Sequence, residues 1–325
     1  MSTPAARQWP WVSIIIPAYN TAAYIRETLQ SVFSQDYPHC EVVVVNDGSP
    51  DTPQLEQALK PFASRIVYLK QPNGGVASAR NAGIRASKGE LIAFLDSDDL
   101  HEPCFLRVQV SYLLSHPDVA VVYGDGIIFG AGHPEIRISQ VSPSQGEVTF
   151  ASLVNETCCV PTSGTLSRRD ALVAVGLFDE SLRWGEDFDL WLRLTRAGYR
   201  IAYHREIVFR YRRHPQNISQ RPDVMPRHAA LVMQKFLASG DLSPEEARLA
   251  LRAKRRFEAA VLLAEGMAAF EEHNFRLAVQ KLTQANQTLR SPRLMVMRAL
   301  LHSCPQALWH LRRLWRKTRE ELTFK

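Results

Sequence analysis

The sequence lacks any apolar run long enough to cross a bilayer. Its apolar runs, such as residues 12–17 and 91–95, fall far below the roughly 18–20 residues a spanning helix needs. Its five cysteines, Cys40, Cys104, Cys158, Cys159 and Cys304, include no CxxC pair. Neither a zinc clamp nor a disulfide framework is suggested. The opening segment MSTPAARQWPW has no charged region followed by an apolar stretch and a cleavage site. A secretory leader is therefore not expected, and a cytoplasmic protein with reduced thiols is. No phosphate-cradling loop rich in glycine and lysine follows the first strand pattern.

What is present reads as globular. Hydrophobic residues make up 46% of the chain and charged residues 22%. A length of 325 residues suits about two domains, at roughly 100–200 residues each, and can bury a core without staples. The net charge of +6 invites a polyanion-binding reading. Its distribution argues otherwise. Residues 241–325 carry 16 Lys/Arg against 9 Asp/Glu, while residues 1–240 carry 23 against 24. The excess belongs to the C-terminal quarter. With no basic surface in the first 240 residues and no binding motif, nucleic acid is excluded as a partner.

The first 125 residues alternate short β-branched runs with helical periodicity. Strands are expected at 12–16, 41–45, 66–69, 91–95 and 119–123. Helices are expected at 24–33, 54–62, 76–86 and 103–115. This rhythm implies βαβ units, a mostly parallel sheet, and ligands at the carboxyl ends of the strands. Periodicity weakens between 125 and 165. Helical signals return from 168 to 199, and short strands are expected at 201–203 and 208–211. Beyond about 226 good helix formers dominate, with Ser243-Pro244-Glu245-Glu246 as a helix start.

Polar clusters follow the strands: Pro17-Ala18-Tyr19-Asn20, Asn46-Asp47-Gly48-Ser49 and Asp96-Ser97-Asp98-Asp99. A fourth is Trp184-Gly185-Glu186-Asp187. Each alone also reads as a turn or a helix cap. Their joint placement at one sheet edge points to a site. Three carboxylates in residues 96–99 repel one another, and Mg²⁺ or Mn²⁺ shared with substrate phosphates relieves that repulsion.

The segments VSIIIPAYN, VVVVNDGSPD, NGGVASARNAGI, FLDSDD and GEDFDLWLRL occur in that order. Over roughly residues 10–220 the chain thereby resembles the family 2 glycosyltransferases. The resemblance implies an α/β GT-A fold: a Rossmann-like, mostly parallel sheet flanked by helices, with an all-α region appended. The punctuation at Pro222, Pro226 and Ser239-Gly240 divides the chain into a GT-A domain at 1–235 and a helical region at 236–325. The nucleotide-binding half is about 10–125 and the acceptor-binding half about 126–225. The resemblance implies a nucleotide-sugar donor, UDP-linked, bordered by Pro17, Ala18, Tyr19, Asn20 and Gly75. Asp47 would accept from the uracil N3–H, and Arg80 would lie near the base and diphosphate. Asp96 and Ser97 would meet the ribose. Asp98 would hold the divalent cation, with His214 as a second ligand or merely a loop residue, and Asp99 unassigned. Asp187 would be the general base of an inverting single displacement, with Glu186 orienting the acceptor or capping its helix. Arg212 and Arg213 would help neutralise the diphosphate. The acceptor is expected to be a saccharide or lipid-linked saccharide. A nucleotidyltransferase on a related fold and a non-catalytic scaffold are the alternatives; PAYN in place of a Gly/Lys loop counts against the first.

Residues 259–292 show a helical-hairpin pattern in which Gly266, Ala278 and Ala285 match the small positions of one tetratricopeptide unit. This region is a candidate surface for a protein partner. The tail 307–325 interleaves Trp309, Leu311, Leu314 and Trp315 with Arg312, Arg313, Arg316, Lys317 and Arg319. Two readings stay open. One is an interfacial segment on an anionic membrane, making the protein peripheral at the inner face. The other is a helix that packs its apolar face and solvates its arginines.

Overall fold

The apolar runs form the centre of a mixed sheet. In this computed structural model residues 9–130, 134–304, 306 and 309 are described. The chain divides into two compact units, Met1–Pro215 and Gln216–Lys325. The expected boundary at 235/236 lies within the helix Val224–Ser239.

In the first unit, β1 (Val12–Ala18), α1 (Ile25–Phe33), β2 (Cys40–Asp47), α2 (Thr52–Leu59), β3 (Val67–Gln71), α3 (Val76–Ala86) and β4 (Leu91–Phe94) alternate. β5 (Leu100–His101), α4 (Phe105–Ser115), β6 (Val119–Phe129), β7 (Ile136–Arg137), α5 (Ile138–Val141) and α6 (Phe150–Val154) follow. The unit ends with β8 (Thr165–Arg168), α7 (Arg169–Ala174), α8 (Glu186–Arg196) and β9 (Arg200–Arg212). The strand order is β3-β2-β1-β4-β8-β6-β9-β5, with β7 against β6. Pairing is parallel from β3 through β4. It turns antiparallel where β8 enters between β4 and β6. β6 and β9 pair parallel over a long register with bulges. The two short strands expected near 201–211 are one, β9.

β1 is buried along its whole length, and its Ile14, Ile15 and Ile16 are fully enclosed. That explains a continuous rather than alternating apolar run. α1 covers the sheet with Ile25, Leu29 and Val32, spaced four and three apart. α3 packs through small residues. At Gly83 a Cβ would collide with the Ile15 side chain, so glycine lets the helix approach β1. The register aligns the strand ends. Ala18 lies opposite Asn46, and Ile15 opposite Phe94. The segments 17–20, 46–51 and 96–99 therefore emerge at one edge.

The second unit is helical: α9 (Val224–Ser239), α10 (Pro244–Glu271), α11 (Phe275–Leu289) and α12 (Pro292–Ser303). Ser243 and Glu246 form a capping box that starts α10. α10 and α11 make the expected hairpin. Ala278, Leu282 and Ala285 are fully buried, and a Cβ at Gly266 would meet Leu282 at 3.0 Å. The tail 307–325 lies outside the described residues, Trp309 apart. Among the described residues no helix is long and apolar enough to cross a membrane.

Candidate active site

The first two loops brace each other. Pro17 and Ala18 are buried strand residues, so only Tyr19 and Asn20 present side chains outward. Tyr19 is 51% exposed, and Asn20 adopts a left-handed φ of 56°. The Asn20 N–H donates to Ser49 Oγ at 2.7 Å, and the Ala22 N–H to Asp51 Oδ2 at 2.8 Å. The turn residues of NDGSPD thus hold the loop after β1. Asp47 is nearly enclosed. Its Oδ1 accepts from Gln71 Nε2 at 2.7 Å and the Gly74 N–H at 2.9 Å; its Oδ2 accepts from the Gly75 N–H at 2.8 Å. Asp47 therefore shapes the turn that starts α3, where Gly75 has φ +87°.

The four residues after β4 have four different surroundings. Asp96 is 38% exposed at its side chain. Ser97 Oγ donates to Thr21 Oγ1 at 2.9 Å, while its carbonyl accepts from Thr28 Oγ1 at 2.9 Å. Asp98 Oδ2 meets His214 Nε2 at 2.8 Å. Burial, then the charge of Asp96, pushes the Asp98 carboxyl up. Asp99 is fully enclosed. Its Oδ2 accepts from Ser163 Oγ at 2.7 Å and its Oδ1 from the Arg212 N–H at 2.9 Å. Burial, then its acidic neighbours, raises the Asp99 carboxyl well above the usual range. With both oxygens engaged inside the protein, Asp99 holds the loop rather than facing outward.

The fourth cluster opens α8. Gly185 takes the left-handed conformation, φ 77°, that turns the chain into the helix. Glu186 points inward, with its side chain only 7% exposed. Asp187 is half-buried. Its Oδ1 accepts from the Phe188 N–H at 2.7 Å and its Oδ2 from Thr162 Oγ1 at 3.0 Å. Trp191 is core, 2% exposed. Trp184 is half-buried, with the Arg183 guanidinium 5.1 Å above its ring.

Arg80 is 3% exposed, with one terminal nitrogen on Glu186 Oε1 at 2.5 Å and the other on Asp96 Oδ1 at 2.7 Å. Burial would lower its affinity for a proton, but Asp96 and Glu186 outweigh burial and hold it charged. The Glu186 carboxylate meets Arg80 through Oε1. One guanidinium faces Asp96, Glu186 and Asp187. Burial, then the Asp187 charge, therefore lifts Glu186 to about 7 despite Arg80. Arg212 is tied to the loop of residues 96–99 and to α1. Its Nε donates to the Asp98 carbonyl at 2.7 Å and a terminal nitrogen to Glu27 Oε2 at 2.7 Å.

Sequence reasoning missed the 3₁₀ turn Thr162–Gly164, which touches both halves of the site. Its Ser163 Oγ also accepts from the Asp96 N–H at 3.2 Å, and its carbonyl meets His101 Nε2 at 3.0 Å. A Thr-Ser-Gly triplet among weakly periodic residues carries no signal of its own.

The residues suit a divalent cation. Asp98 and His214 offer oxygen and nitrogen from a half-enclosed pair beside Asp96. Among the described residues no group of three or more His, Cys, Asp and Glu side chains is placed to hold a metal ion by itself. An open, carboxylate-containing site is what Mg²⁺ or Mn²⁺ uses when substrate phosphates complete the shell.

Comparison with known proteins places these observations. The family model described as glycosyl transferase family 2 matches residues 13–176. The chain is 34% identical over 213 residues to an uncharacterized glycosyltransferase of Rickettsia typhi, covering 63% of this chain and 64% of that protein. It is 28% identical over 204 residues to the minor teichoic acid biosynthesis protein GgaB of Bacillus subtilis, covering 62% of this chain and 23% of that one. It thus spans less than two thirds of these relatives. Among solved structures, S. aureus TarS 1–349 in complex with UDP-GlcNAc aligns at a TM-score of 0.57 with 23% identity, over 90% of this chain and 86% of that one. The mannosyltransferase PcManGT from Pyrobaculum calidifontis, in complex with GDP-Man and Mn²⁺, aligns at 0.62 with 21% identity, over 98% and 86%. The fold is the GT-A type.

Proposed function

This chain belongs to glycosyl transferase family 2, and from that premise we propose that it is an inverting, metal-dependent enzyme moving a sugar from a UDP-type donor to a hydroxyl acceptor in glycan or cell-envelope polysaccharide synthesis. The observation that carries this reading is the double tie between the carboxylates of residues 96–99 and the pair at 186–187. Arg80 joins Asp96 to Glu186, while the Thr162–Gly164 turn joins Asp99 to Asp187. A cation-holding edge and a half-exposed carboxylate are held in one frame, as a displacement with a separate base requires.

Tyr19 offers an exposed ring to a nucleobase beside the enclosed Asp47. Asp98 and His214 would hold a divalent cation, which when bound supplies Lewis-acid stabilisation of the leaving diphosphate. Asp187 takes the proton of the acceptor hydroxyl, whose oxygen bonds to the anomeric carbon as the diphosphate oxygen departs on the opposite face. No covalent nucleophile is needed. The Cys158 thiol is spent on the Gln145 and Glu147 carbonyls, and Cys159 is an exposed loop thiol. The neighbours complexed with UDP-GlcNAc and with GDP-Man and Mn²⁺ support the donor class and the cation. The likeness to GgaB, named for minor teichoic acid biosynthesis, supports a cell-envelope saccharide as acceptor.

The test is nucleotide release from a panel of nucleotide sugars with Mn²⁺. Asp187→Asn is expected to abolish transfer while keeping UDP binding, and Asp98→Ala to lose the Mn²⁺ dependence of that binding. Wild-type turnover in both variants overturns the reading. Pyrophosphate as the product favours nucleotidyltransfer instead.

A further inference from the structure

The geometry points to Thr162 as the residue that positions Asp187 for proton transfer, an inference that rests on the base role given to Asp187 above. A carboxylate held at one oxygen by its own helix can still turn, because its terminal torsion is broad. The Phe188 N–H fixes Asp187 Oδ1, and Thr162 Oγ1 fixes Oδ2. Together they set the plane of the group and leave its remaining lone pairs in a fixed direction.

Thr162 suits this work because its turn is held from several sides. Its β-branched side chain is stiff at χ1, and the residue is 7% exposed. Its carbonyl accepts from Thr165 Oγ1 at 2.7 Å. The Gly164 N–H closes the turn on the Pro161 carbonyl at 2.9 Å, and the Gly164 carbonyl accepts from Gln109 Nε2 at 2.7 Å. Ser163 is tied to Asp99 and His101. A Cβ at Gly164 would meet the Phe209 ring at 2.7 Å, so the turn is packed tightly on that side. The Thr162 hydroxyl is thus a rigid donor anchored to the same turn that holds the loop of residues 96–99. Thr162 acts through Asp187 and is a positioning residue.

The experiment compares Thr162→Val, which keeps the shape and loses the donor, with Thr162→Ser, which keeps the hydroxyl. The full chain is assayed with Mn²⁺ and the UDP- or GDP-sugar that the wild type turns over fastest. Binding of the matching nucleoside diphosphate and thermal melting are measured alongside. Losing a hydrogen bond to a charged group predicts that Val lowers turnover about tenfold. Diphosphate binding is expected within about twofold of wild type, and Ser to recover most of the rate. Should Val lose its melting transition, Thr162→Ala against Thr162→Ser makes the same comparison. Unchanged turnover without the hydroxyl, an equal loss in binding and turnover, or a Ser variant as impaired as Val overturns the positioning role and leaves the enzyme reading standing. A wild type that turns over no nucleotide sugar overturns both.

Discussion

Arg80 donates to Glu186 across 106 residues of chain, with both side chains less than a tenth exposed. The same guanidinium reaches Asp96, and its carbon lies 5.3 Å from the Phe178 ring. The adjacent Asn81 closes on the Phe178 backbone at 2.9 and 3.0 Å. The helix motif ARNAG is therefore a clasp between the edge that carries Asp98 and the helix that carries Asp187.

Arg80→Lys is expected to impair this clasp despite keeping the charge. A single ammonium lacks the planar fork that serves two carboxylates at once. Arg80→Ala leaves Glu186 buried without its cation and is expected to cost about 3 kcal/mol or more in urea unfolding. Equal stability of the Ala variant and the wild type would contradict it.

Glu186 predicts a pH dependence of stability. Its folded-state value of about 7 lies above the ordinary glutamate value. Between the two, the native state keeps a proton that the unfolded chain has lost. This group's contribution therefore falls as pH rises from about 4.5 to 7, by roughly 3 kcal/mol at most. Glu186→Gln removes that fall, which urea midpoints across this window will show.

His101 acts with the opposite sign. Burial holds its imidazole down at about 3, stacked on Phe105. The unfolded chain takes up a proton below the ordinary histidine value, and the native state does so only near 3. Stability from this group is present above about 6.5 and lost as pH falls towards 3, by up to roughly 5 kcal/mol. His101→Asn should flatten this acid limb, and an unchanged slope would refute the assignment.

Gly83→Ala is expected to destabilise the first unit by about 1–3 kcal/mol, because the new methyl has only the Ile15 side chain to displace. The readout is the urea midpoint.

Removing residues 311–325 tests the tail while sparing Trp309, whose ring lies 4.1 Å from that of His273. The truncated chain should sediment less with phosphatidylglycerol vesicles while its donor turnover is unchanged. If vesicle binding is the same with and without the segment, its arginines are only solvated.

The linear pattern determined much of this protein. Short β-branched apolar runs and the 3.6-residue period placed the strands and helices of the first 115 residues, because local burial leaves a local trace. The sheet register then carried the segments at 17–20, 46–51 and 96–99 to one edge, as strand-end placement implied. What only the tertiary structure decided is the division of labour among like residues. Asp98 and Asp99 are neighbours in sequence, yet one meets His214 and the other is enclosed by Ser163 and Arg212. Arg80 is enclosed between Glu186 and Asp96, and two hydroxyls in an unpatterned turn hold Asp99 and Asp187. Such roles depend on contacts between residues 16 to 116 positions apart. Hydrogen bonds of that span leave no periodicity, and a charge in sequence does not tell whether a partner or water will meet it.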